Sequence, residues 1–140
     1  ATWVPTSEFK TGDNAGNRLP YAPKFIANLA LTYQLEQLTA AISAHHRGEQ
    51  YGDPSNREDI PTDAAGGIWG GLMPSYTVLD VTAQYNLADN VSVFGAVKNL
   101  TDKRYAATVT PGYDDKGADA ARSTPGEGFG VYTGVSWSWL

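Results

Sequence analysis

Apolar and polar positions alternate with a period of two along most of the chain, and clusters of Gly, Pro, Asn and Asp interrupt the alternation. A helical period is poorly supported. The pattern predicts about six strands, at residues 1–10, 23–35, 38–51, 74–87, 91–109 and 128–140. In the second, Phe25, Ala27, Leu29, Leu31, Tyr33 and Leu35 share a face opposite Asn28, Ala30, Thr32 and Gln34. The third sets Leu38, Ala40, Ile42 and Ala44 against Thr39, Ser43, His45 and Arg47. The fourth sets Leu79, Val81, Ala83, Tyr85 and Leu87 against Asp80, Thr82, Gln84 and Asn86. In the fifth, Val91, Val93, Gly95 and Val97 oppose Ser92, Ala96 and Lys98, and Phe94 is an exception on the polar side. The last sets Val131, Thr133, Val135, Trp137 and Trp139 against Tyr132, Gly134, Ser136 and Ser138.

The connections come in two lengths. Residues 36–37 and 88–90 read as tight turns, whereas 11–22, 52–73 and 110–127 read as long polar loops. Short and long connections therefore alternate. One end of an up-and-down sheet carries turns and the other carries loops, an asymmetry that transmembrane β-barrels have. A strand crosses a bilayer in about 9–11 residues, and several of these strands are longer. Aromatic residues fall at strand ends: Tyr33, Tyr85, Trp137 and Trp139 toward the turns, Phe25 and Tyr76 toward the loops, and Tyr51 and Tyr105 beyond them. Rings with an apolar body and a polar tip favour the headgroup level, so two girdles are expected. The fold class expected is all-β: an antiparallel up-and-down transmembrane β-barrel. Six strands alone would leave two unpaired edges, which lipid does not tolerate. The expectation is that they are about the last six strands of a larger barrel, with Thr2 continuing a strand already under way.

Composition narrows the function. The chain of 140 residues has no cysteine, which rules out disulfides and thiolate metal sites within it. A net charge of −5 without a basic cluster argues against nucleic-acid binding. No stretch is apolar for the roughly 20 residues that a membrane helix needs. The Gly-rich runs at 66–71 and 126–130 lack the Lys-Ser/Thr ending of a phosphate loop. No Ser-His-Asp set or carboxylate pair stands out, so no catalytic residue and no enzyme activity is expected.

Four motifs, in order, carry a family resemblance. Gly16-Asn17-Arg18-Leu19-Pro20-Tyr21-Ala22-Pro23 looks like the segment ahead of a late barrel strand in TonB-dependent receptors. Met73-Pro74-Ser75-Tyr76-Thr77-Val78-Leu79-Asp80 is similar to that family's strand start. Val97-Lys98-Asn99-Leu100-Thr101-Asp102-Lys103-Arg104-Tyr105 resembles its strand exit, and Pro125-Gly126 its last-strand opening. Thr101 stands where the family commonly has Phe, Gly128-Phe129 where it commonly has Arg, and Leu140 follows Trp139 where it usually ends in Phe. The run from Tyr51-Gly52-Asp53 to Gly66-Gly67 is similar to ferric dicitrate and ferric-siderophore receptors.

The resemblance implies a multi-pass barrel of about 22 strands in the outer membrane of a Gram-negative bacterium. Residues 1–140 would form its C-terminal part, with the earlier strands and an N-terminal plug lying outside this sequence. The implied function is TonB-energised uptake of a ferric chelate, either siderophore or ferric citrate. Implied partners are the chelate, the TonB complex through the N-terminal region, the rest of the barrel and plug, and outer-membrane lipid and lipopolysaccharide. No cofactor is implied, because iron enters only as part of the cargo. The alternative is a binding or structural module, either a soluble β-sandwich or a small porin-like barrel.

Ferric chelates are commonly anionic, so Arg57, Arg122 and Lys116 in the loops are the candidate ligand contacts. His45 and Arg47 on the polar face of the third strand join them. For each, a solvated charge is the competing account. Adjacent His45 and His46 face opposite sides and cannot form a paired metal site by themselves. Asp80 and Lys98 lie on inward faces of neighbouring strands and are expected to pair with each other or with the plug. Asn99, Asp102 and Tyr105 are expected to fix the strand-to-loop transition.

Overall fold

A computed structural model describes residues 1–61 and 70–139. Asp63, Gly66, Gly67, Ile68, Trp69 and Leu140 lie outside the described residues. The described chain is all-β. Its strands are β1 (Thr2–Trp3), β2 (Phe25–Leu35), β3 (Leu38–Arg47), β4 (Gln50–Tyr51), β5 (Leu72–Met73), β6 (Tyr76–Ala88), β7 (Val91–Lys98), β8 (Ala106–Tyr113), β9 (Asp119–Pro125) and β10 (Gly130–Trp137). One six-stranded sheet has the order β1-β2-β3-β6-β7-β10, and β4-β5 and β8-β9 form two-stranded pairs.

Register turns the alternation into rows. Val81–Val97–Val131, Ala83–Gly95–Thr133 and Tyr85–Val93–Val135 line up across β6, β7 and β10, and Val91 faces Trp137. The intervening rows are Thr82–Ala96–Tyr132, Gln84–Phe94–Gly134 and Asn86–Ser92–Ser136. A slip of one residue would exchange the two faces. Phe94, which breaks the pattern, has a local reason. A Cβ built on Gly134 would stand 2.5 Å from Phe94 Cζ, so the ring lies over the space that a side chain at 134 would fill. An aromatic ring covering a cross-strand glycine keeps apolar surface against apolar surface on an otherwise polar face.

Two compact units divide the chain. A loop unit comprises Ala1–Ile26, Arg47–Tyr76 and Arg104–Gly126, and a strand unit comprises Ala27–His46, Thr77–Lys103 and Glu127–Leu140. Among the described residues, the buried apolar cluster Ile60, Met73, Ala106, Val109 and Ala121 belongs wholly to the loop unit. The strand unit instead leaves its apolar face open: Leu31 is 64% exposed, Val135 69% and Trp137 63%.

Three expected boundaries move. The strand expected at 1–10 is only Thr2–Trp3, because Pro5 has no N–H for a ladder. Beyond it the chain doubles back: Glu8 bridges Arg18, and Phe9 N donates to Asn17 O at 2.9 Å. The strand expected at 38–51 stops at Arg47, and Gln50–Tyr51 pairs separately with Leu72–Met73. The strand expected at 91–109 stops at Lys98, where Asn99 takes a left-handed turn, and Ala106–Tyr113 then pairs with Asp119–Pro125. Much of 110–127, expected as a loop, is therefore a hairpin. Its strands bury Ala106, Val109, Ala120 and Ala121 and are otherwise largely small and polar, so they give little alternation to read.

Candidate functional site

In the loop unit, close backbone packing builds the platform for the candidate cations. A Cβ at Gly52 would stand 2.8 Å from Val109 O, so only glycine lets the chain pass there. Tyr21 Oη donates to Val109 O, and Ala121 N donates to Pro61 O at 2.6 Å. Asn56, at φ 54°, exchanges two bonds with Arg18: it accepts from Arg18 N at 2.6 Å and donates from Nδ2 to Arg18 O at 2.9 Å. Asp53 is buried and accepts from Ser55 N at 2.7 Å and from Ser55 Oγ. The segment that leads into Arg57 is thus fixed by side chains that bond backbone.

Arg57 points one guanidinium nitrogen, Nη1, at Asp119 Oδ2, 2.7 Å away. Its Nε lies 3.9 Å from Asp53 Oδ2, and neither of these two buried atoms has a hydrogen-bond partner. Arg18, which the sequence did not single out, is the more enclosed cation. It donates from Nη2 to Glu49 O at 3.1 Å and lies over the Tyr51 ring, 5.4 Å from its centroid. Tyr51 Oη donates to Glu58 Oε1 at 3.1 Å. Burial first, and then that bond to a carboxylate, hold the Tyr51 phenol above its usual pKa. Only the aromatic positions in the sequence hinted at this cluster, because a cation over a ring leaves no spacing motif.

Lys116 stands at the tip of the β8–β9 hairpin. Asp114 Oδ1 accepts from Lys116 N at 2.9 Å and from Ala118 N at 2.8 Å, and Gly117 takes φ 79°. The turn chemistry is that of a three-residue loop with a left-handed glycine. Arg122 is exposed on β9, opposite Thr110, and has no ion-pair partner among the described residues. Alternation puts it on the other face of β9 from Asp119. Arg47 donates from Nε to Gln50 Oε1 at 3.2 Å. Arg57 and the hairpin are therefore brought together through Asp119, whereas Arg122 faces away.

The strand unit holds the remaining candidates. His45 Nδ1 meets Asn28 Oδ1, and His46 Nδ1 lies 2.9 Å from Thr77 Oγ1. By alternation His45 shares the polar face, while His46 shares the parity of Ala44 and Ile42. Lys98 Nζ donates to Asp80 Oδ2 at 2.8 Å, and Asp80 Oδ1 accepts from Asn99 N at 2.9 Å. Asn99 is 1% exposed. Its Nδ2 donates to Lys103 O at 3.0 Å and Glu127 O at 2.9 Å, and its Oδ1 accepts from Lys103 N at 2.8 Å. Asp102 Oδ1 accepts from Phe129 N at 3.2 Å. In the loop unit, Tyr105 stacks on Tyr76, with ring centroids 4.1 Å apart. Among the described residues, no group of three or more His, Asp or Glu is placed to hold a metal.

An antiparallel up-and-down sheet with one exposed apolar face, tight turns and long connections defines a piece of a membrane β-barrel. Residues 1–100 match the TonB dependent receptor-like β-barrel family, and the chain belongs to that family of outer-membrane barrels of Gram-negative bacteria. It is 37% identical over 91 residues to a probable TonB-dependent siderophore receptor, PiuA, of Acinetobacter baumannii, a match covering 64% of this chain and 10% of that protein. It is 32% identical over 80 residues to the vitamin B12 transporter BtuB of Photobacterium profundum, covering 57% of this chain and 11% of that one. The crystal structure of PiuA superposes with a TM-score of 0.68 at 29% identity, over 89% of this chain and 15% of that chain. The ferric citrate transporter FecA, unliganded, gives 0.64 at 21% identity over 92% and 19%, a likeness of fold alone. The matched segments are thus a small fraction of the relatives' lengths. These relatives are receptors and transporters, not enzymes.

Proposed function

We propose that these residues are the C-terminal part of an outer-membrane active transporter that takes up a ferric chelate, a siderophore or ferric citrate, with energy supplied through TonB. The observation that carries this reading is the 37% identity to a siderophore receptor over 91 residues. The row register supports it physically. Val81, Val97, Val131, Val135 and Trp137 form a continuous apolar band that meets lipid, and Asp80, Lys98 and His45 face an interior completed by other strands and a plug. The ion pair and the Asn99 network have a structural role, holding the strand ends where the long connections leave. The exposed Arg122 and Lys116, with Arg57, supply cations for an anionic cargo. Lipopolysaccharide and lipid are the outer partners of the band.

Uptake of iron-55 chelates by iron-starved cells tests the reading. Disrupting the gene that encodes this chain is expected to abolish uptake of one ferric chelate, and disrupting TonB to do the same. Unchanged uptake of every ferric chelate, or loss of vitamin B12 uptake alone, would replace iron as the cargo.

A further inference from the structure

We propose that Asp119 is an internal competitor for anionic groups of the cargo at Arg57, so that this pair sets how strongly the loop unit holds a negatively charged chelate. The inference rests on the ferric-chelate reading above and adds a specificity-determining residue to it. Arg57 and Asp119 keep 40% and 54% of their side-chain surface exposed, so an approaching anion reaches the contact from solvent. The 2.7 Å contact occupies Nη1, the position that a cargo carboxylate would otherwise take on the guanidinium. On its other side Arg57 is held back incompletely: Nε and Asp53 Oδ2 stay 3.9 Å apart, both without a hydrogen bond. The guanidinium is therefore drawn outward by Asp119 rather than seated on the buried carboxylate.

Exchange of Asp119 for an external anion would be local. The backbone of Asp119 stays paired with Tyr113, and Asp114 N still donates to Ala118 O at 2.9 Å. Ala121 N keeps its bond to Pro61 O. The hairpin holds its place while one carboxylate lets go. A neutral chelate offers nothing that displaces a carboxylate from a guanidinium, so the pair discriminates by charge. Arg122, on the opposite face of β9, lies outside the exchange.

The test uses the complete outer-membrane protein that carries this chain, purified in detergent. Affinities are measured for ferric citrate, which is anionic, and for a neutral ferric trihydroxamate. D119N is expected to tighten ferric citrate about two- to fivefold, the range set by removing one exposed ion-pair competitor, and to leave the trihydroxamate unchanged. R57Q weakens ferric citrate, and adding D119N to R57Q has no further effect. Wild-type binding of ferric citrate with no response to D119N, or an equal response for both chelates, overturns the competitor role alone. Failure of every form to bind any ferric chelate overturns the uptake reading and this one with it.

Discussion

Replacing Asn99 by alanine removes a buried side chain that ties together three backbone groups of the strand unit. Asn99 is 1% exposed and sits at φ 47°. Its amide group makes three hydrogen bonds, to Lys103 O, Glu127 O and Lys103 N. A typical hydrogen bond contributes about 1 kcal/mol net, and a buried group left without its partner costs about 1–3 kcal/mol. Two of the three partners are carbonyls, which retain some capacity to find water. An alanine in the left-handed region adds about 1 kcal/mol. The expected loss is about 3–5 kcal/mol for N99A. For N99G it is about 1 kcal/mol less, because glycine adopts that φ freely. The assay is urea unfolding of the complete barrel refolded in detergent, followed by tryptophan fluorescence. N99A within about 0.5 kcal/mol of wild type would refute the reasoning, since surface changes without structural consequence fall in that range.

Other consequences follow from the same sheet. G134A places a Cβ 2.5 Å from Phe94 Cζ and is expected to cost about 1–3 kcal/mol. Shortening the ring in F94A/G134A should recover most of that loss in a double-mutant cycle; a strictly additive result would show that the two positions do not touch. L31R puts a charge on the apolar face of β2 and is expected to cost about 2–4 kcal/mol if that face meets the bilayer interior. Thr82→Arg, on the opposite face of β6, is expected to stay within about 1 kcal/mol of wild type by the same unfolding assay.

The strands that cross the sheet were legible because one chemical environment lies on each side of them. In β2 the alternation runs from Ala27 to Leu35, with Ile26 an apolar exception at the strand's start, and its bounds agree with the expected 23–35 within two residues. Where the environment changes along a strand, legibility ends. Ala106–Tyr113 and Asp119–Pro125 pack small residues against a small core, so their hairpin left little apolar pattern, although Asp114 and Gly117 carried its turn chemistry. The candidate site was legible residue by residue but not as a set. Arg57 could be named as a loop cation, yet its partner Asp119 lies 62 positions away. Arg18 was hidden because a ring, a backbone carbonyl and the Glu49 carboxylate, 31 positions away, surround it without a spacing motif. Phe94 departs from the alternation because Gly134 lies across from it, a pairing that only the register reveals.

Which faces of these strands touch lipid separates a barrel wall from a water-soluble sheet. These 140 residues have no cysteine, and any cysteine elsewhere in the complete barrel is replaced by serine before labelling. Cysteines at Leu29, Leu31, Val81 and Val135, each carrying a spin label in the barrel reconstituted into bilayers, are predicted to collide with oxygen dissolved in the lipid. Labels at Asn28, Thr82 and Gln84 are predicted to collide with a water-soluble nickel chelate instead. Water-side collisions at all seven positions, or the reverse alternation, would contradict the outward-facing apolar band.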